Sequence, residues 1–287
     1  MLIRPMTPAD VPMAEEVSDL AFHEVDRWTH RAGRPAPERR TPQRSETWIR
    51  RTARFLDTDP GGCWVAVDES GVVGFATSIV RERVWVLATF AVRPGQQGRG
   101  IGRAVLEPAL AYGAACDRGL LSASEDPRAL HRYHAAGFAL YPQLFFRGEV
   151  DRSRLPSIGG LRAGQADDLA WMDDLDRALR GGPHGPDHSA LSDMARLVVA
   201  RDRSGYAYTT GSETYVVAAS TPEVGTRLLW ECLAGAEGVF EVSHVTTANQ
   251  WAVEVAMNAR LAMSTDGFLA VRGMDPPAPY VHNGALL

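Results

Sequence analysis

Residues 84–105 read VWVLATFAVRPGQQGRGIGRAV, and this stretch constrains the fold more than any other. An apolar run of β-type side chains ends at Val92, and Arg93-Pro94-Gly95 breaks it. Glycines follow at positions 95, 98, 100 and 102. An amphipathic helical pattern then starts with Ile101, Val105, Leu106, Ala109 and Leu110, and Pro108 inside it predicts a kink. A strand, a glycine-dense turn and a helix start together make an anion site. The first N–H groups of the helix lack intrahelical acceptors, and the helix dipole favours negative charge there. Glycine admits positive φ and close backbone approach to a phosphate. Arg99 and Arg103 can add charge-assisted hydrogen bonds. The spacing is neither GxGxxG nor the lysine-bearing P-loop pattern. The physics therefore specifies a phosphate-bearing ligand and no more, with a structural Gly-rich turn as the alternative.

The elements around this loop alternate in type. Strands are predicted near 2–5, 63–68, 72–80, 84–92 and 120–123, with a last strand pair near 138–149. Helices are predicted over 9–22, from Arg99 to about 116, and over 127–136. A polar stretch with helical segments reaches residue 58. Consecutive hairpin strands in a mixed order predict an α/β (α+β) fold, a mostly antiparallel sheet flanked by helices. The segment DRSRLPSIGG at 151–160 reads as a linker, which divides the chain into residues 1–150 and 161–287. The two parts echo each other. Ile3-Arg4, Thr7 and Asp10 recur as Leu161-Arg162, Gln165 and Asp168 at an offset of 158, and Trp64–Val67 with Gly74-Phe75-Ala76 recurs as Leu197–Ala200 with Gly205-Tyr206-Ala207. The shared order points to an internal duplication.

Gln97-Gly98-Arg99-Gly100-Ile101-Gly102 resembles the R/Q-x-x-G-x-G/A motif of the GCN5-related N-acetyltransferases. A second segment, from Asp126-Pro127-Arg128-Ala129 through Tyr133 to Gly137-Phe138, resembles that family's N-x-x-A-x-x-x-Y-x-x-x-G-F pattern, with Asp126 in place of the usual Asn. The resemblance implies two tandem acyl-CoA N-acyltransferase-like domains. In the first, Gln97, Gly98, Arg99, Gly100, Ile101, Gly102 and Arg103 would hold the pyrophosphate of acetyl-CoA as cosubstrate. The backbone of Phe90, Ala91 and Val92 would face the pantetheine arm, and Tyr133 would protonate the departing thiolate as general acid. The implied reaction carries an acetyl group to a primary amine of a small acceptor. The alternative is a non-catalytic acyl-CoA sensor, because residues 84–92 contain no ionisable side chain to act as base. Glu82, His23, Glu24, Asp26 and Glu125 are the nearby candidates. In the second half, Val216–Leu229 keeps a strand and a helix but only Gly225 of the loop, and Asn249-Gln250-Trp251-Ala252 echoes Asp126–Ala129 with Ala256 where a tyrosine would stand. That half reads as degenerate.

Other features narrow the function. All 30 basic residues are Arg and the net charge is −5, which gives no ground for nucleic-acid or membrane binding. No leader or membrane-span pattern is visible, so a cytoplasmic protein is expected, as a monomer or homodimer. Cys63, Cys116 and Cys232 show neither metal-ligand spacing nor a disulfide framework. Residues 27–54 hold nine arginines (27, 31, 34, 39, 40, 44, 50, 51 and 54), expected on a solvated helix face, with Trp28 and Trp48 lining a pocket or anchoring the stretch. His131 and His134 lack a third ligand. His184, Asp187 and His188 in GGPHGPDHS are expected in a flexible loop, and no metal site is assigned. The segment Pro276–Tyr280, PPAPY, is expected to lie along the surface.

Overall fold

Each half of the chain opens on the same local knot. Arg4 forks onto Asp10 with two bonds of 2.7 Å, while Asp10 also accepts from the Thr7 backbone at 2.8 Å. Arg162 forks onto Asp168 at 2.7 and 2.6 Å, and Asp168 accepts from the Gln165 backbone at 2.9 Å. In both places a short strand turns into a helix through a reciprocal capping box. The expected duplication is thus visible as repeated chemistry.

The computed structural model describes residues 1–30 and 36–287. The chain divides into two compact units, Met1–Ala136 and Gly137–Leu287. Arg31 and Arg34 of the arginine run lie outside the described residues.

The first unit contains β1 (Leu2–Pro5), α1 (Val11–Thr29), α2 (Pro42–Thr58), β2 (Cys63–Asp68), β3 (Gly71–Arg81), β4 (Val84–Val92), α3 (Ile101–Tyr112), β5 (Arg118–Ala123) and α4 (Pro127–Ala135). Its sheet runs β1-β2-β3-β4-β5. Neighbours are antiparallel except β4 and β5, which are parallel. Val65, Phe75, Ile79 and Trp85 on the strands and Val105 on α3 are buried in its core. Helix α1 runs on past the expected end at Phe22 to Thr29, which carries Glu24 and Trp28 onto a helix. Helix α3 runs through Pro108 and stops at Tyr112, short of the expected 116. A Cβ at Gly113 would stand 2.2 Å from the Trp85 ring, and Trp85 Nε1 donates to the Ala109 carbonyl at 2.8 Å. The last turn of α3 is pinned there.

The arginine run is only partly a solvated face. Arg39 pairs with Asp19, and Arg40 reaches Glu15 at 3.2 Å and Ser18 at 2.9 Å, so both tie this segment to α1. Trp48 is buried edge-on against Phe75 with ring centres 5.7 Å apart, which makes it a core anchor.

The second unit contains β6 (Ala139–Glu149), β7 (Leu161–Ala163), α5 (Leu169–Arg180), α6 (Asp187–Met194), β8 (Arg196–Ala200), β9 (Gly205–Thr209), β10 (Glu213–Ala219), α7 (Pro222–Ala234), β11 (Val239–Thr246), α8 (Gln250–Asn258), β12 (Ala262–Arg272) and β13 (Tyr280–Val281). Its sheet runs β7-β8-β9-β10-β11-β6-β12, with β10 and β11 parallel and β13 added on β10. The segment expected as a strand pair at the end of the first half is one strand, β6. It pairs antiparallel with β11 and β12 and so lies in the second unit's sheet. The division consequently falls at 136/137, ahead of the 150 that the linker composition marked.

Two further expectations do not hold. The GGPHGPDHS segment is ordered by burial: His184 and His188 are inside, and α6 begins at Asp187. The Pro276–Tyr280 segment lies only partly along the surface: Ala278 is exposed, but Pro277 is buried and the segment ends inside the fold. Tyr280 is 2% exposed, Val281 is fully buried, and both pair with β10.

Candidate active site

Strand β4 is built to part from its neighbour. Val84–Leu87 pairs with Arg118–Leu121 on one edge, and the pairing stops there. At the same place the register against β3 shifts: Leu87 faces Ser78 and Thr89 faces Thr77, leaving Ala88 as the extra residue of a bulge. A bulge bends its strand and re-aims the residues beyond it. Residues 89–92 continue along β3, but among the described residues no strand covers the other edge of 88–92. Phe90, Ala91 and Val92 therefore present backbone groups to a wedge between β4 and β5, open to an extended ligand.

The wedge leads to the glycine loop. Gly95, Gly98 and Gly100 have φ of 77°, 80° and 82°, a conformation that disfavours any side chain with a Cβ. Nothing lies within 4 Å of where a Cβ would stand at these three positions. Gly102 differs: its Cβ position is 3.0 Å from the Phe90 ring and 3.4 Å from Val92, so a side chain there would press on both residues where α3 starts against β4. Gly100 caps α3 without a side chain. Among the described residues, no backbone N–H from Gln97 to Arg103 has a protein acceptor. These donors, at the positive end of a 12-residue helix, make an anion cradle. Gln97 braces it by donating to the Val92 carbonyl at 3.3 Å and to Glu24 at 3.4 Å. Arg99 leans on Gln96. Arg103 is exposed on the first turn of α3.

Tyr133 lies on α4, which is capped as the sequence predicted: Asp126 accepts from the Arg128 backbone at 2.9 Å, and Pro127 takes the first position. Its ring meets Phe90 edge-on at 6.3 Å, which places the tyrosine beside the free part of β4. The side chain is 5% exposed, and no hydrogen bond engages its hydroxyl among the described residues. Burial, with Asp126 adding to it, pushes the phenol pKa well above its ordinary value, opposed in part by Arg132. The hydroxyl thus stays protonated throughout the neutral range, with its proton uncommitted.

Sequence reasoning missed two contributors, the arginines Arg132 and Arg128. Arg132, adjacent to Tyr133, holds its guanidinium carbon 3.6 Å from the Gly102 Cβ position and so adds charge at the helix start. Its place at a variable position of the motif gave no signal. Trp28, 57% exposed, is covered by the Arg128 guanidinium at 5.2 Å, and Asp126 holds that guanidinium at 2.8 Å. Among the candidate bases, Glu24 reaches the loop through Gln97. Glu82 sits with φ of 56° in the β3–β4 turn, at the far end of β4 from the glycines. His23 Nδ1 is buried without a partner among the described residues.

Comparison with known proteins agrees with this geometry. Residues 22–138 match the model of the acetyltransferase (GNAT) family. A search of curated proteins returns no match. Among solved structures, a Pyrococcus horikoshii protein named as a candidate acetyltransferase superposes with a TM-score of 0.74 at 19% identity, over 99% of this chain and 94% of that one. A GCN5-related N-acetyltransferase from Sphaerobacter thermophilus gives 0.59 at 15% identity, over 96% and 97%. A tandem GNAT protein from the clavulanic acid biosynthesis pathway gives 0.58 at 13% identity, over 96% and 99%. At these identities the likeness establishes the fold, tandem arrangement included. No helix among the described residues is long and apolar enough to cross a membrane.

Proposed function

We propose that the first unit transfers an acetyl group from acetyl-CoA to a primary amine of a small acceptor, a reading supported by the match of residues 22–138 to the model of the acetyltransferase (GNAT) family. The observation that carries this reading is the pairing of the open β4 edge with the unpartnered N–H groups of Gln97–Arg103. One set suits an amide-bearing arm and the other suits the diphosphate to which such an arm is attached. The residues fit that group. The loop glycines leave room above the backbone, Arg99, Arg103 and Arg132 bring positive charge, and the Glu24 carboxylate is engaged by Gln97.

The chain's own groups then divide the chemistry. The backbone N–H groups of β4 beside the bulge polarise the acyl carbonyl. The acceptor amine enters neutral and attacks that carbonyl, so that a C–N bond forms and the C–S bond breaks. Burial keeps the phenolic proton on Tyr133 at neutral pH until negative charge develops on the departing sulfur, which then takes it. The proton lost by the amine passes to solvent, and solvent returns a proton to Tyr133.

Calorimetry with acetyl-CoA tests the site. Gly98→Glu combined with Gly100→Glu places two carboxylates and two side chains in the cradle, where nothing lies within 4 Å of either Cβ position, and is expected to weaken binding by at least ~100-fold. Binding that survives in this variant removes the first unit as the acetyl-CoA site. Tyr133→Phe separates transfer from binding: affinity should stay within about twofold while kcat falls by ~100-fold. Tight binding without turnover on any amine in a broad screen would convert the reading to a sensor.

A further inference from the structure

Outside the active site, the second unit buries a cluster for which acyl transfer has no use. Asp173 and Asp176 lie one turn apart on α5, His184 precedes α6, and His188 is in it. Asp176, His184 and His188 are buried, and their ligand-type atoms all lie within 4.8 Å of one another. We propose that Asp173, Asp176, His184 and His188 form a structural site for one divalent transition-metal ion of the zinc type.

The hydrogen-bond partners assign the protons. His184 Nε2 is 2.9 Å from the Leu286 carbonyl, which can only accept, so Nε2 carries a hydrogen. In the neutral ring Nδ1 is then a bare lone pair, and it faces Asp176 Oδ2 at 2.7 Å. The other Asp176 oxygen accepts from the Tyr206 hydroxyl at 2.6 Å. Two acceptors pressed together in a dry interior need a cation between them, either a proton or a metal ion.

His188 decides between the two. It is 1% exposed, and its Nε2 has no hydrogen-bond partner. That nitrogen lies 3.2 Å from Asp173 Oδ1 and 3.9 Å from Asp176 Oδ2, aimed into the same spot. A proton shared by His184 and Asp176 leaves His188 Nε2 with only the Asp173 carboxylate at 3.2 Å, without the geometry of a hydrogen bond, whereas a metal ion engages both histidines. Ligand atoms of a tetrahedral zinc-type site stand roughly 3.4 Å apart when the bonds are about 2.1 Å. The separations in this cluster, 2.7, 3.2 and 3.9 Å, bracket that value.

The supporting groups are those that ligands of this kind need. His184 Nε2 donates to a carbonyl, His188 Nδ1 is 3.1 Å from the Tyr208 hydroxyl, Tyr206 holds Asp176, and the Gly185 backbone donates to Asp173 at 2.8 Å. The buried Arg180 supplies one further positive charge but spends its bonds on the Gly182 and Pro183 carbonyls at 2.9 Å each. Asp173 is the one ligand that is only half-buried, with its side chain 21% exposed, and it marks the way in. Nitrogen and carboxylate donors in this number favour zinc or cobalt over calcium or magnesium. Such an ion would staple α5, α6, β9 and the carboxyl-terminal segment together.

The full chain, stripped of metal by a chelator, is titrated with cobalt(II) and followed by visible absorption, with metal content read by mass spectrometry. The expected result is one ion per chain, intense d–d absorption of tetrahedral cobalt, and an unfolding midpoint raised by about 5 °C or more with zinc. Asp173→Asn at the rim, which leaves the interior intact, should weaken metal retention at least tenfold, and His188→Gln should abolish the cobalt spectrum. A silent titration with an unfolding midpoint indifferent to zinc and chelator overturns the proposal, as does a histidine nitrogen NMR spectrum showing His184 doubly protonated in the zinc-treated protein. Acetyl-CoA affinity of the first unit is a separate readout and is expected not to change.

Discussion

Strands β4 and β10 start alike and end differently. Each is antiparallel to the strand before it and parallel to the strand after it, and each parts from that parallel neighbour at a bulge, Ala88 in one and Tyr215 in the other. Beyond the bulge, β4 keeps its edge free. In β10 that edge is taken: Val217 and Ala218 already pair with β9, so β13 lies on the side vacated by β11, Val281 opposite Val217 and Tyr280 opposite Ala218. The Ala219 backbone adds a bond of 3.2 Å to the Pro279 carbonyl. Asn249, at the position matching Asp126, holds the same segment by accepting from the Tyr280 N–H at 2.8 Å and donating to the Pro277 carbonyl at 3.2 Å. The connection to the next helix differs as well. Residues 93–100 form the glycine cradle before α3, whereas Ser220 and Thr221 alone lead into α7, and the Thr221 hydroxyl caps that helix by accepting from the Val224 N–H at 3.4 Å. The framework that opens a wedge is therefore separable from the ability to use it. The second unit retains the wedge and fills it with its own chain.

The contrast between the units is most exposed at the filled wedge. Val281→Asp places a carboxylate where the side chain is fully buried on β10. Denaturant unfolding of the second unit should lose ~3–5 kcal/mol, the range for an uncompensated buried charge. Acetyl-CoA should still bind once per chain, because the short Ser220-Thr221 connection offers no cradle. A second equivalent of acetyl-CoA bound by this variant would break the comparison, since the tail alone would then be what separates the two units.

The two opening knots allow a finer test. Asp10 is held down to about 2, first by the hydrogen bonds from Arg4, with Thr7 adding to them against the cost of burial. Asp168 is held lower still, again first by Arg162, with Trp171 and the Gln165 backbone contributing. A depressed carboxylate contributes stability in full above its unfolded pKa near 4, and the contribution is lost as pH falls through the folded value. The first unit should therefore lose its knot between about pH 4 and pH 2, and the second at more acid pH. With Arg4 and Arg162 about one-third exposed, solvent screening reduces each contribution to ~1–2 kcal/mol at neutral pH. Asp10→Asn and Asp168→Asn should cost that much at pH 7, and Asp10→Asn should flatten the acid limb of the first unit's unfolding curve. Equal acid limbs for both variants would show that Trp171 does not distinguish the knots.

What was legible in the sequence shares one property: it is local. Arg4 and Asp10 are near neighbours in the chain, the glycines precede their own helix, and the α4 cap and Tyr133 lie on one short element. The features that escaped depend on partners far along the chain. Pro276–Tyr280 carries the composition of a surface strap, and its burial is decided by the free edge of β10, well before it in the chain. GGPHGPDHS has the composition of a mobile loop, yet His184 meets Asp176 on one side and the Leu286 carbonyl, 102 residues away, on the other. Strand β6 follows the first half without a break in hydropathy, and only its pairing with β11 and β12 assigns it to the second unit. Composition reports solvent preference, and these three cases turn on which distant segment a residue meets.

The smallest effect separates the two helix starts. At Thr221 the side chain does for α7 what a bound anion would do for α3: it satisfies a free N–H of the first turn. Removing it by Thr221→Ala should cost ~1 kcal/mol of stability in the second unit, the usual loss for an N-cap, and leave acetyl-CoA binding untouched. Gly100→Ala changes the matching position of the first unit by a single methyl group with nothing within 4 Å to obstruct it, so packing is not at stake. Its φ of 82° is, and an L-residue there costs ~1–2 kcal/mol if the loop holds its shape. Relaxation of the loop toward negative φ would relieve that strain by turning the N–H groups of residues 98–101 away from their common focus. Stability loss and affinity loss should therefore trade against each other at Gly100, with acetyl-CoA raising the variant's unfolding midpoint by less than it raises that of the wild type. An unchanged ligand-induced shift in Gly100→Ala would mean that the left-handed turn serves only the start of α3, as Thr221 serves the start of α7, and the two helix starts would then differ in shape but not in purpose.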